Sequence, residues 1–327
     1  DDAGRKSSEY LTISGQTYTT ATGYNAKGQL TDYTYPDGTS IQRTYTDRGE
    51  LHLLKHASTT IDTRTYDHGG RMTGSTYNNG LSETRSYNAD NTLAGINYTG
   101  ASIGNMSYSW DDNKNKTAET IAGTMSNYGF SIPTNGYDAE DRLVSYNRTD
   151  GNLDQSWALS AVGDWNSVTT EGVAQARTHG PTHKLTAVAS QSVSTDVKGN
   201  ISLIPSNARP GSSSLGMTWD MDNRLVSADV GNNGSAESAY QFDALGRRVA
   251  RTAGGSTTIY VQSGQQTIAD YASGAAASSP TYRYVYGSYI DEPVMRYQPS
   301  GTASVYYHRN QQYSINALTN ASGAILE

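Results

Sequence analysis

The sequence predicts an all-β fold, a continuous antiparallel ribbon of β-hairpins. Three observations predict it: a 21-residue recurrence, paired turn signals inside each recurrence, and a composition suited to thin sheets. The recurrence comes first because a missed period misassigns the whole fold. Tyr24-Asn25-Ala26-Lys27-Gly28-Gln29-Leu30 returns as Tyr45-Thr46-Asp47-Arg48-Gly49-Glu50-Leu51, as Tyr66-Asp67-His68-Gly69-Gly70-Arg71-Met72 and as Tyr87-Asn88-Ala89-Asp90-Asn91-Thr92-Leu93, with the tyrosines spaced 21 apart. Looser copies stand at Trp110-Asp111, Tyr137-Asp138, Trp219-Asp220 and Phe242-Asp243-Ala244-Leu245-Gly246. Residues 150–215 are degenerate, with partial copies at Leu159 to Asp164, His183-Lys184-Leu185 and Asp196 to Asn200.

Each unit carries two turns with a strand between them. In the first, an aromatic residue precedes Asp or Asn, whose side chain bonds its own backbone two residues on, and a following glycine supplies positive φ. Half a repeat later stand Pro36-Asp37-Gly38, Asn79-Gly80 and Asp150-Gly151, dipeptides that favour tight primed hairpin turns. Alternating runs such as Leu30 to Tyr35 and Ser40 to Tyr45 have the length of ordinary strands. One repeat is thus one hairpin. Hairpins added edge to edge make a twisting, spiralling or shell-like sheet, with the aromatics expected to form ladders across neighbouring strands.

Composition agrees. Of 327 residues only 35% are hydrophobic, while Tyr number 25 and Gly 33, which is poor material for a thick aliphatic core. Tyr and Thr suit a half-buried pleated face. The formal net charge is -7 and no basic run is long enough to neutralise a row of phosphates, so nucleic acid is not an expected partner. No apolar stretch approaches the roughly 18 to 20 residues of a spanning helix. The absence of Cys removes disulfides and thiolate metal sites. Asp1-Asp2-Ala3-Gly4-Arg5 reads as the middle of a repeat, so any export signal is expected upstream.

The Tyr-Asp-x-x-Gly-Arg-Leu pattern resembles the YD repeat of the rearrangement-hotspot (Rhs) proteins, Gram-positive wall-associated proteins, the C component of insecticidal toxin complexes and the teneurins. A second block, Tyr282 to Val294 containing Asp291-Glu292-Pro293, followed by Tyr306-Tyr307-His308-Arg309-Asn310 and Ala317 to Ile325, resembles the start of the Rhs-associated core. The resemblance divides the chain into a repeat array over 1–280 and the start of that core over 281–327. It implies a spiralling sheet that closes, in full-length members, around a C-terminal toxin or variable domain. The family's core continues past the point reached at Glu327, and its self-cleaving aspartates have no counterpart in this sequence. About fifteen hairpins are expected to build only part of such a shell.

Catalytic signatures are missing. No Gly-x-Ser-x-Gly elbow occurs, and His179 and His183 are separated by Gly180-Pro181, which breaks the helix a zinc pair needs. Asp111-Asp112-Asn113-Lys114-Asn115 has the start of a calcium loop without its Gly or distal Glu. Asp291-Glu292-Pro293 reads as a turn rather than paired acid-base carboxylates, because adjacent strand residues face opposite ways and Pro suits a strand end. The expectation is a non-enzymatic structural scaffold of a secreted or surface-delivered bacterial protein, with no cofactor and no metal. Its expected partner is a cargo or toxin domain in the same or a neighbouring chain. Two rival readings are a carbohydrate-binding adhesin whose tyrosines and asparagines meet glycans, and a subunit that self-associates through open sheet edges into a tube or filament.

Overall fold

The structure, a computed structural model, describes residues 1–100, 103–209, 211–299 and 304–327. Its strands form two antiparallel sheets, one of 18 strands and one of 12, neither closed. In every described pairing the partners follow one another in the chain, as in Ser40–Tyr45 with Leu51–His56 and then Leu51–His56 with Thr59–Tyr66. This is the meander that a hairpin repeat dictates. The degenerate stretch obeys it too: Gln155–Leu159, Trp165–Thr170, Val173–His179 and Leu185–Val188 pair in order. The first sheet ends at Gln191–Ser192 and the second starts at Ser194–Thr195, with Val193 between them.

One turn recurs throughout. At the repeat end Asp67 N–H donates to Arg71 O and Gly70 N–H to Asp67 O, at 3.0 and 3.1 Å. At the opposite end Tyr35 N–H donates to Thr39 O and Gly38 N–H to Tyr35 O, the same pattern. The primed turns expected at Pro36-Asp37-Gly38, Asn79-Gly80 and Asp150-Gly151 are therefore not what forms. Only the glycine of each has positive φ, whereas a type I′ turn needs two such residues and Pro36 is fixed at negative φ. The result is an ordinary turn closed by a left-handed glycine and a bulge. Primed geometry appears instead at Ser14-Gly15, Ala57-Ser58, Glu171-Gly172 and Ala189-Ser190, where both residues have positive φ.

The chain divides into two compact units. The first comprises Asp1–Ser107, Ile121–Met125 and Thr257–Glu327. Here the face of the N-terminal hairpins is covered by the C-terminal hairpins. Tyr18 meets Tyr271 with ring centres 4.4 Å apart and its hydroxyl donates to Ala275 O at 2.8 Å; Tyr35 donates to Tyr284 O at 2.7 Å. Leu54, Ile96, Ile259, Tyr271 and Val294 are almost wholly excluded from solvent. The second unit comprises Tyr108–Thr120 and Ser126–Ser256. Its fully buried apolar side chains are Tyr108, Val168, Val188, Val193, Val249 and Ala250 among the described residues, while Trp165, Val173, Met221 and Leu245 stand exposed.

Candidate functional site

The repeated residues build an edge of linked turns. Tyr24, Tyr45, Tyr66 and Tyr87 each end a strand, and the pairing register slips by one residue as each is reached. Trp110, Trp219 and Phe242 end strands in the same way, and Tyr137 bridges to Leu143. Gly28, Gly49, Gly70 and Gly246 hold the left-handed position. Asp67 shows how the turn is capped: its Oδ1 accepts Gly69 N–H at 2.8 Å and Arg71 N–H at 2.9 Å, while its Oδ2 accepts Arg71 Nε at 2.6 Å. Asp138, Asp220 and Asp243 repeat the arrangement with Arg142, Arg224 and Arg247. Asp111 does so with Asn115. Hydrogen bonding from Arg71 holds the Asp67 carboxyl below the usual range.

Two features of this edge differ from the sequence reading. The tyrosines do not stack on one another. Equivalent residues of successive repeats lie two strands apart, about 10 Å, which is too far for ring contact. Each hydroxyl instead reaches back to a carbonyl: Tyr45 to Leu30 O, Tyr66 to Leu51 O and Tyr87 to Met72 O, at 2.7, 2.7 and 2.8 Å. Ring-to-ring contact occurs instead between immediately neighbouring strands, as in Tyr146 on Trp157 with centres 5.8 Å apart, and across the covered face of the first unit, as in Tyr18 on Tyr271. The second feature is the basic or amide side chain in and after the turn, which couples it to the next one. Gln29 Nε2 donates to Gly49 O at 3.1 Å, Arg48 Nη2 to Asp67 O at 2.7 Å and Arg224 Nη1 to Asp243 O at 3.1 Å. The recurring Arg of the motif was the signal for this coupling.

The residues that suggested metals belong to repeat turns of the second unit. His183 occupies the left-handed position of a repeat turn, with Gly180 N–H on Lys184 O at 2.8 Å, and its Nδ1 lies 2.9 Å from Asp164 Oδ2. Lys114 takes the equivalent place in the Asp111 turn. Among the described residues no group of three or more His, Asp or Glu is placed to hold a metal ion, and no helix is long and apolar enough to cross a membrane.

Asp291, Glu292 and Pro293 separate. Asp291 is exposed in a turn and Pro293 opens the strand Pro293–Tyr297, but Glu292 is only 2% exposed. It joins a network buried within the first unit. Glu292 Oε1 contacts Arg309 Nη2 and lies 2.8 Å from Arg64 Nη2, while its Oε2 accepts the N–H groups of Ser288 and Tyr289 at 2.8 and 3.1 Å. Arg64 Nε is 2.7 Å from Asp62 Oδ2. Glu83 pairs with Arg85 and accepts the Tyr77 hydroxyl at 3.0 Å, and the single hydroxyl proton of Tyr98 lies between Arg309 O at 3.2 Å and Glu83 Oε2 at 3.4 Å. Burial alone would raise the Glu292 carboxyl, but Arg64 and Arg309 outweigh it and hold it at about 2. Gly287 is required beside it, since an added methyl would collide with the Glu292 carboxylate and Arg64.

Three carboxylates thus face three guanidiniums, and every carboxylate is occupied. That arrangement ties the C-terminal hairpins to the N-terminal ones through paired buried charges. His308 sits beside it between Tyr77 and Tyr98, each ring centre 5.3 Å away, with Nε2 2.8 Å from Thr319 Oγ1. Sequence reading missed Asp62, Arg64 and Glu83 because each sits in a strand that looks polar and exposed, and it placed Arg309 only in a family-like block, with no ionic role.

The geometry defines a class, the hairpin-repeat ribbon with capped, coupled turns. Known proteins make it more specific. No family model matches the chain. It is 24% identical over 194 residues to the tRNA3(Ser)-specific nuclease WapA of Bacillus spizizenii, a match that covers 58% of this chain and 8% of that protein. Among solved structures it resembles the Tc holotoxin pore of Photorhabdus luminescens in a TccC3 mutant form, with a TM-score of 0.74 and 13% identity over 97% of this chain and 18% of that one. It also resembles the crystal structures of TcdB2–TccC3–Cdc42 and of TcdB2–TccC3 without its hypervariable C-terminal region, with TM-scores of 0.72 and 0.69, each at 14% identity over 97% of this chain and 19% of the other. The chain therefore has the Rhs-type YD-repeat fold, and it spans under a fifth of the length of each of these relatives.

Proposed function

We propose that this segment is a non-enzymatic wall element of a YD-repeat shell that encloses a polypeptide cargo in a secreted bacterial protein. The observation that carries the reading is the likeness, over nearly the whole chain, to TcdB2–TccC3, one of whose structures is described as lacking a hypervariable C-terminal region. The repeated residues support it, because Tyr, Asp, Gly and Arg of the motif are consumed by strand ends, turn caps and turn-to-turn links. On this reading residues 1–280 are array, residues 281–327 start the core, and the cargo is a toxin or variable domain.

The test is to purify the complete natural polypeptide that contains these residues and to image it by electron cryomicroscopy alongside limited proteolysis. A hollow particle with interior density and a C-terminal fragment resistant to protease until denaturant is added is the expected result. An extended ribbon without a lumen, cleaved throughout at one rate, overturns it. The two rivals separate in other assays. A surface adhesin predicts glycan-array hits that whole cells compete for. A filament subunit predicts concentration-dependent polymers, paired through edges such as Ser8–Ile13, whose described pairing is to one strand, Gln16–Tyr24.

A further inference from the structure

Among the described residues of the first unit, Arg43 is a cation without a counter-ion. Arg43 lies on strand Ser40–Tyr45 and its Nη2 donates to Tyr286 O at 3.0 Å. No carboxylate lies within ion-pair distance of it among the described residues, in contrast to Arg64 and Arg309 in the same unit. Burial pushes its guanidinium below the ordinary value. A half-buried cation that makes one hydrogen bond to a carbonyl and meets no anion is costly to keep, and an anion from outside would relieve that cost.

The guanidinium borders open space. A groove of about 430 Å³ is walled by Leu30, Leu51 and Tyr45 on one side and by Gln265, Ser288 and Tyr289 on the other, with Arg43 among its lining residues. A second groove of the same volume adjoins Arg43 between the Asn25 and Thr46 turns. The first groove's chemistry is mixed in a particular way. Tyr289 is half exposed and has one ring face stacked on Tyr313, centres 4.8 Å apart, which leaves the other face available. Gln265 is exposed at the rim, with both a donor and an acceptor. A ring face, an amide and an unpaired guanidinium together match a polyol ring that bears a carboxylate.

We propose that this groove is a subsite for a sugar acid, with Arg43 holding the carboxylate, Tyr289 stacking on the pyranose face and Gln265 bonding hydroxyls. The inference goes beyond the shell reading and stands or falls separately from it.

Calorimetric titration of the intact chain with trigalacturonate, with neutral galactotriose and with inorganic phosphate tests it. Trigalacturonate is expected to bind at least about tenfold more tightly than the neutral trisaccharide, and Arg43→Gln to erase that difference. Gln265→Trp, at an exposed position that leaves Arg43 in place, is expected to block the groove and abolish binding while the far-ultraviolet circular dichroism is unchanged; it decides the matter if Arg43→Gln fails to fold. Equal affinity for charged and neutral sugars, no binding of either, or phosphate binding as tightly as the sugar acid would each overturn the assignment.

Discussion

The two units are built from the same hairpin and stabilised differently. In the first, one layer of hairpins is covered by another, so Tyr18, Tyr35, Tyr77 and Tyr98 are buried and their hydroxyls find partners more than 200 residues away or in the ion network. In the second, strands meet mainly their immediate neighbours, and aromatics such as Trp165 lean on Trp157 and Arg177 rather than on a facing layer. The difference teaches that the repeat motif specifies the hairpin and the edge, while what lies on the sheet face decides whether a core forms. Cooperative stability belongs to the covered unit, and local stability to the ribbon.

The largest effect should come from the buried ion network. Glu292→Ala leaves Arg64 and Arg309 in the interior with one acid fewer, and removing one partner of a buried pair costs about 3–5 kcal/mol. The equivalent change in the other unit is Asp222→Ala, whose carboxylate is 2.9 Å from Arg224 but 71% exposed, and no measurable loss is expected there. Urea unfolding of both variants, followed by peptide-resolved hydrogen exchange, checks the pair. Equal losses would erase the distinction between the units.

Acid should also divide them. His56 and His308 are 8% and 0% exposed, and burial pushes each imidazole down to about 4. The charges that act on His308 are Glu83 and Arg309, and those that act on His56 are Arg283 and Asp37. Neither His56 Nε2 nor His308 Nδ1 has a partner among the described residues, so a gained proton is left unsatisfied. The folded pKa lies below the unfolded value of about 6.5, so the unfolded chain binds more protons between those limits. Stability present above pH 6.5 therefore falls as pH drops to about 4, by roughly 3 kcal/mol per imidazole. Glu292, held at about 2, adds a further loss below the ordinary carboxylate range. Exchange protection of strands Leu51–His56 and Val305–Arg309 should decline across that window, and His308→Gln should shift the decline of the latter. Protection that is flat from pH 7 to 4 would refute this.

The sequence revealed the hairpin because turns are local. Asp67, Gly70 and their copies bond within five residues, and such chemistry recurs visibly. It did not reveal Glu292, which looks like part of a turn until Arg64, 228 positions earlier, is brought against it. Nor did it reveal that His183 and Lys114 replace glycine in the left-handed position, since backbone geometry outlasts the residue that usually marks it. The tyrosine positions were legible, but their contacts were not, because ring stacking and hydroxyl reach depend on strand spacing rather than on residue type. At Asp37-Gly38 the primed turn failed because Pro36 precedes it and selects the other turn, whereas Asn79-Gly80 and Asp150-Gly151 adopt the same non-primed turn without a proline.

The smallest effect probes the ribbon's own logic. Asp243 Oδ1 accepts the N–H groups of Leu245 and Arg247 at 3.0 and 2.9 Å, and its Oδ2 accepts Arg247 Nε at 2.7 Å. Asp243→Ala removes all three and should reduce exchange protection of those two amides by roughly tenfold, with no change in Leu51–His56 or Val305–Arg309. Asp243→Asn should leave protection nearly intact, because Asn25, Asn310 and Asn320 already cap equivalent turns through the same oxygen. If the alanine change instead lowered protection across the whole second unit, its turns would be acting as one cooperative edge, coupled through links such as Arg224 to Asp243 O, and the contrast with the covered unit would narrow from cooperative against local to deep against shallow.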